Sequence, residues 1–245
     1  MLITRLRENI QTILDQDPAA RTATEVVLCY PGFHAVAIHE FAHWLWSRRC
    51  YTFARWISHV SRVLTGIEIH PGAKMGRRVF IDHGMGVVIG ETAIIGDDCV
   101  IYQGVTLGAG AAARMGAKTR GTKRHPTLGT GVVVGSGAEI QGDIIVGDNV
   151  RVASRSIVLK DVPANSVVVG VPGRVVIRDG QKVKDDTPDP EAEAIKSLKE
   201  HISKLEERLE LLDGSLHSGE PGVHSGRDPN DPQDPVDLFL HGAGI

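Results

Sequence analysis

Apolar residues recur through the middle of the chain with a period of six. Taken every sixth position they are Ile69, Met75, Ile81 and Val87, then Ile95, Ile101 and Leu107, then Leu128, Val134, Ile140, Val146, Val152 and Val158. All thirteen are apolar in a chain that is 42% hydrophobic, a coincidence of about one in a hundred thousand for one chosen register. Small or branched residues recur four places on, at Ala73, Val79, Val105, Val132, Ala138 and Val150. A period of six fits neither an α-helix nor a simple alternating strand. It fits a parallel β-helix of triangular section, in which three faces of six residues make one coil and each key residue stacks on its counterpart a coil away. Such coils wind left-handed, against the usual crossover rule.

The register slips by two between Val87 and Ile95 and breaks between Leu107 and Leu128. The second break predicts a loop over residues 108–127, rich in Gly, Ala and basic residues and extruded from the solenoid. Residues 1–66 read as an N-terminal α-helical domain. "FHAVAIHEFAHWLWSRR" is apolar on a helical period, and Asp17–Pro18 is taken as a helix start. The β-helix spans 67–178, closed by "GVPGRVV". Over 185–212, Ile195, Leu198, Ile202, Leu205, Leu209 and Leu212 follow heptad spacing, and Ile and Leu at both core positions permit a trimeric coiled coil. Residues 213–245, rich in Gly, Pro and Asp, read as a disordered tail. Its apolar end, "VDLFLHGAGI", suits a docking peptide; a frayed terminus is the plainer reading. The fold class is therefore mainly β: a left-handed parallel β-helix with helices at both ends.

Composition narrows the function. A formal charge of −3 offers no basic field for nucleic acid or an anionic membrane, and no apolar run approaches membrane length. The first residues lack a signal-peptide core, and Cys29, Cys50 and Cys99 show no metal or disulfide spacing, so a cytoplasmic setting is expected.

Three constellations could carry chemistry. "HEFAH", His39–His43, matches the zinc-protease pattern literally, but no third ligand follows and the helix is crowded with apolar residues; packing against the solenoid is the simpler role. His70, His83 and His125 could hold zinc as in β-helical carbonic anhydrases, although their spacing differs. The third reading is acyl transfer. Glu68 and His83 lie 15 residues apart, placing a carboxylate on the coil adjacent to an imidazole that has Asp82 beside it. A carboxylate fixes the tautomer of such a base and stabilises its imidazolium. The plain alternative is that Asp82 caps a corner and His83 is solvated.

"DPAA…YPGFHAVAIHEFAHWLW…GIEIHPGAKMGRRVFIDHGMGVVIGETAIIGDDCVIYQGVTLGAG…KRHP…GVPGRVV" resembles the serine O-acetyltransferase family over about residues 10–178. The resemblance implies transfer of acetyl from acetyl-CoA, a co-substrate and not a resident cofactor, to the L-serine hydroxyl in cysteine biosynthesis. It implies His83 as general base and Glu68 as its carboxylate partner, in a place where Asp is common. Asp17 and Asp82 match the groups that hold the serine ammonium, and Arg124 matches the grip on its carboxylate, with His125 beside it. A zwitterion requires an anion at its amine and a guanidinium fork at its carboxylate. Backbone amides near Gly104–Gly108 or Gly135–Ser136 are candidates for the oxyanion. The acyl-CoA would lie in a groove between trimer subunits, with Gly108, Ala109 and Ser136 along the pantetheine and Arg151 and Lys160 at the phosphates. No metal is implied. The resemblance also implies feedback inhibition by L-cysteine, and docking of the C-terminal Ile245 into O-acetylserine sulfhydrylase. Most of the family's hexamer-forming helical domain is missing, so a homotrimer is expected in preference to a hexamer. The runner-up is a hexapeptide acetyltransferase with another acceptor, and outside that class a zinc hydratase or a silent scaffold.

Overall fold

The computed structural model describes residues 2–183 and 190–216. The tail from 217, with Ile245, lies outside the described residues. Contacts divide the chain into two units, Met1–Lys184 and Asp185–Ile245.

The six-residue period builds a left-handed parallel β-helix with three flat faces. The first stacks Glu68–Ile69, Val88–Ile89, Thr106–Gly108, Glu139–Gln141 and Ile157–Val158. The second stacks Lys74–Met75, Ile94–Ile95, Thr127–Leu128 and Ile145–Val146. The third stacks Phe80–Ile81, Val100–Ile101, Val133–Val134, Arg151–Val152 and Ser166–Val169, then closes with antiparallel Arg174–Arg178 and Gln181–Lys182. Inside, Ile69, Ile89, Leu107, Ile140 and Val158 form one buried column, and Ile81, Ile101, Val134, Val152 and Val168 another. Each such side chain contributes about 1.5–3 kcal/mol by leaving water. The corner between the second and third faces uses left-handed residues, and there Asn149 donates to Asn165 (3.1 Å) and Asn165 to Asp179 (3.0 Å).

The first register slip lies one key position, a whole six-residue step, earlier than the periodicity suggests. Ile69 pairs with Ile89, and Ile89 with Leu107, so Ile89 is the key residue and Val87 takes the small inward position two places before it. The two extra residues therefore fall between Ile81 and Ile89, in the corner that carries His83.

Four helices precede the coil: α1 (Leu2–Gln16), α2 (Ala23–Cys29), α3 (Pro31–Ser47) and α4 (Tyr51–Thr65). Asp17–Pro18 does not start a helix. It lies in the turn after α1, where Asp17 accepts the Ala19 amide (2.8 Å), and α2 is capped instead by Thr22, which accepts from Glu25 N–H (3.1 Å). Ile13, Val26 and Phe33 bury Phe80, fastening α1–α3 onto the third face. Gly32 permits the closest approach, since a Cβ there would lie 1.9 Å from the Ile81 carbonyl oxygen. In the second unit α5 (Pro190–Leu216) leaves Leu198, Ile202, Leu205 and Leu209 exposed along one seam. Among the described residues no helix is long and apolar enough to cross a membrane.

Candidate active site

His83 stands on the corner between the third and first faces. Asp82 is still part of the ladder, its amide donating to Ile101 O (2.9 Å). The next residue reverses the chain: His83 has φ of +58°, and the Gly84 amide returns to the Asp82 carbonyl (2.6 Å). A three-residue turn with positive φ at its centre is strained for a residue bearing a Cβ, a kind of strain that gathers at functional sites. The turn projects the imidazole outward with its side chain 73% exposed, and Nε2 lies 3.9 Å from Asp82 Oδ1. At that spacing the Asp82 carboxylate can stabilise a proton arriving on the ring, by about 1 kcal/mol in water.

The helices bring further groups to this corner. Tyr30, at the N-terminus of α3, donates its hydroxyl to Asp17 Oδ2 (2.6 Å). That bond, with the Ala19 amide, holds the Asp17 carboxyl below its ordinary range, and His83 adds to the effect. The same bond pushes the Tyr30 hydroxyl up to about 12. Burial raises Asp82, opposed by His83 and reinforced by Asp17. Two carboxylates and an imidazole thus share one field, suited to an ammonium group and to a proton acceptor beside it.

A second cluster occupies the opposite edge of the first face. After Ile89 the chain turns through Gly90, Glu91 and Thr92, and the long loop, wound in 3₁₀ turns over Gly110–Thr119, returns onto them. Thr92 Oγ1 accepts the amides of Arg124 (2.9 Å) and His125 (3.1 Å), and its own amide donates to His125 Nδ1 (3.2 Å). In a neutral ring this leaves the proton on Nε2. Burial and the adjacent Arg124 and Lys123 lower His125 to about 4, so the ring is neutral at physiological pH. His125 lies directly over Gly90, where a Cβ would sit 2.0 Å from its Cδ2. Arg124 pairs with Glu91 and reaches the carbonyls of Thr119 and Thr122. Above them is a cavity of about 760 Å³ lined by Trp46, Tyr51, Glu91, Ala109, Arg120 and Arg124, among others.

The expected residues thus gather in two groups. Asp17, Asp82 and His83 come together; Arg124 and His125 come together on the other edge. The Glu68 carboxylate pairs with Arg62 (3.0 Å), and its strand lies one rung from the one that follows the His83 turn. Asp82 and Asp17 also face that turn. Of the coenzyme candidates, Gly108 and Ala109 lie at the Arg124 edge, and Lys160 follows the Ile157–Val158 strand of the same face. Ser136 lies on the His83 corner column, where Arg155 N–H donates to its carbonyl (2.9 Å). Arg151 stands apart, facing out from the third face between Val133 and Val167. The amides of Gly104 and Gly135 donate to the Met85 and Val152 carbonyls (2.9 and 2.8 Å), so neither is free for an oxyanion.

The metal readings fail on contacts. Glu40 pairs with Arg5 (2.5 Å), His43 donates to the Pro71 carbonyl (2.8 Å), and buried His39 is lowered by desolvation to about 3. His70 lies by Arg124 and His125, far round the coil from the His83 corner, and accepts the Gly72 amide (3.0 Å). Among the described residues no group of three or more His, Cys, Asp or Glu is placed to hold a metal ion. Tyr30, Glu91 and Thr92 escaped the sequence reading. For Thr92 the signal was the "GET" that follows a key residue; for Tyr30 there was none.

No protein-family model matches the chain. It is 48% identical over 249 residues to the serine acetyltransferase of Synechococcus elongatus, with 98% of each chain covered. It is 50% identical over 215 residues to that of Bacillus subtilis, covering 86% of this chain and 96% of the relative. Among solved structures it is similar to the serine acetyltransferase of Brucella abortus in complex with coenzyme A (TM-score 0.67, 39% identity, 74% of this chain and 69% of that one). It is also similar to the Neisseria gonorrhoeae enzyme in complex with serine (0.66, 34%, 72% and 69%) and to a serine acetyltransferase in complex with cysteine (0.68, 35%, 73% and 67%).

Proposed function

The chain belongs to the serine acetyltransferase family, and from that premise we propose how its residues divide the work. The reaction moves the acetyl group of acetyl-CoA to the hydroxyl of L-serine, giving O-acetyl-L-serine and coenzyme A. One observation carries the assignment: the acidic, imidazole-bearing corner and the guanidinium-bearing corner lie at opposite edges of one face. From Gly86 to Gly90 that face spans about 13 Å at the rise of an extended strand. An amino acid carries its ammonium and carboxylate on a single carbon. One protomer therefore cannot offer it both clusters, and a neighbouring copy completes the site, as a trimer does at each of its three grooves.

In that groove Asp17 and Asp82 of one copy face the serine ammonium, and Arg124 of the next takes the carboxylate, its Glu91 partner holding it in place. Neutral His125 offers its Nε2–H beside it. His83 takes the proton from the serine oxygen as that oxygen bonds to the thioester carbonyl carbon. The carbon–sulfur bond then breaks, and the imidazolium returns the proton to the departing thiolate. Asp82 stabilises the imidazolium, and Glu68, one rung away, supports it as its further carboxylate partner while also pairing with Arg62. Gly108, Ala109, Ser136 and Lys160 line the coenzyme's path; Arg151 reaches it only from another copy.

L-cysteine differs from serine by one atom at the reacting position, so the same cradle binds it and feedback inhibition follows. Copies associate as a trimer in preference to a hexamer, and the seam of α5 adds a coiled coil. Ile245 serves O-acetylserine sulfhydrylase as a docking tip. The test of the reaction is thiol release from acetyl-CoA over a panel of hydroxy amino acids and amino sugars. Serine should be the preferred acceptor, and His83→Ala should lower turnover by about two to four orders of magnitude. Near-normal serine acetylation by that variant, or preference for an amino sugar, would overturn the reading.

A further inference from the structure

We propose that Tyr30 is a positioning residue for serine recognition, acting through the carboxylate of Asp17. The inference rests on the assignment of Asp17 to the substrate ammonium. Asp17 sits in a turn just beyond α1, in a short segment with no ladder to hold it. Its carboxylate is fixed from two sides, Oδ1 by the Ala19 amide (2.8 Å) and Oδ2 by the Tyr30 hydroxyl (2.6 Å). The second contact is the one that crosses between elements.

Tyr30 is well placed to set the position of that carboxylate against the His83 turn. It precedes Pro31, the first residue of α3, and Gly32 lies against the Ile81 carbonyl with no room for a side chain. Ile81 is the residue before Asp82. The hydroxyl is thus carried by a helix start clamped to the strand that ends in Asp82 and His83, and it transmits that position to Asp17. The ring packs with the Ile13, Val26, Phe33 and Phe80 cluster, so removing only the hydroxyl leaves the packing in place. The charged groups around the pair are Glu25 on α2 and Asp82 and His83 on the turn. The hydroxyl bond favours the ionised form of Asp17, whose charge in turn raises Asp82, and a cationic ligand between them favours both carboxylates.

The test is Tyr30→Phe in the full-length protein, with Asp17→Asn as its control. The bond exists with or without serine, so only the part of its strength spent on aiming Asp17 reaches binding, up to roughly ten-fold. The KM for serine should rise by up to that much, while kcat and the KM for acetyl-CoA stay within about three-fold. Serine affinity, measured by calorimetry as the pH is lowered, should fall off at a higher pH in Tyr30→Phe, because Asp17 has lost a donor to its ionised form. An unchanged serine KM in Tyr30→Phe, with a raised one in Asp17→Asn, overturns the role of Tyr30 alone. A loss confined to kcat overturns it too, since it would mean a disturbed His83 turn. An unchanged serine KM in Asp17→Asn refutes the parent assignment instead.

Discussion

Replacing Gly90 with Ala should damage serine recognition through steric displacement alone. Gly90 does not adopt a left-handed conformation, so alanine strains no backbone there. The added Cβ would lie 2.0 Å from His125 Cδ2 and 2.1 Å from Nε2, whereas ordinary contact begins near 3.4 Å. The ring must retreat by about 1.4 Å, the difference between those two distances. It cannot do so alone, because its Nδ1 accepts the Thr92 amide and the same threonine hydroxyl holds the backbone of Arg124. Overpacking of this size costs about 1–3 kcal/mol of stability, and a misplacement near 1 Å in a positioning group costs about 100-fold in rate. Steady-state kinetics should show kcat/KM for serine down by about two orders of magnitude, with the KM for acetyl-CoA little changed and a modestly lower Tm. A serine kcat/KM within three-fold of the parent, in a variant whose Tm has fallen, would refute the reasoning.

Two other outcomes follow from the same coordinates. His39, His70 and His125 are all held below the ordinary histidine range, to about 3, 4 and 4. The unfolded chain therefore binds more protons than the folded one between about pH 6.5 and 4, so stability is full above that window and lost as pH falls through it. Thermal melts across pH should show this decline, flattened in part by His39→Leu; a Tm independent of pH from 7 to 4 would contradict it. In the second unit, Ile202→Asp places a charge on the exposed seam of α5. Helical signal should melt at lower temperature while serine acetylation is retained, and an unchanged melt would mean that the seam is unpaired.

The solenoid was legible because its key positions obey a single spacing and each is buried by a neighbour of the same kind. The exact register at the active corner was not. Val87 and Ile89 are both apolar and both point inward, so the pattern could not show which of them carries the stack or that the two extra residues belong to the His83 turn. His83, Asp82 and Asp17 were readable from their place in the motif. The pairing of Glu68 with Arg62 was not, because it depends on how α4 docks against the coil. Asp17–Pro18 looked like a cap, yet proline cannot continue α1, and the Thr22–Glu25 pair gives α2 a better start. Tyr30 becomes functional only through the docking of α3, a tertiary event with no local signature.

Mixing two disabled proteins tests the shared site most directly. His83→Ala spoils one half of each groove and Arg124→Ala the other, so each variant alone should be nearly inactive. Unfolded together in equal amounts and refolded, random assembly should pair an intact half with an intact half in about one groove of four, restoring about a quarter of the parent activity. A mixture no more active than its components would contradict a site built from two copies.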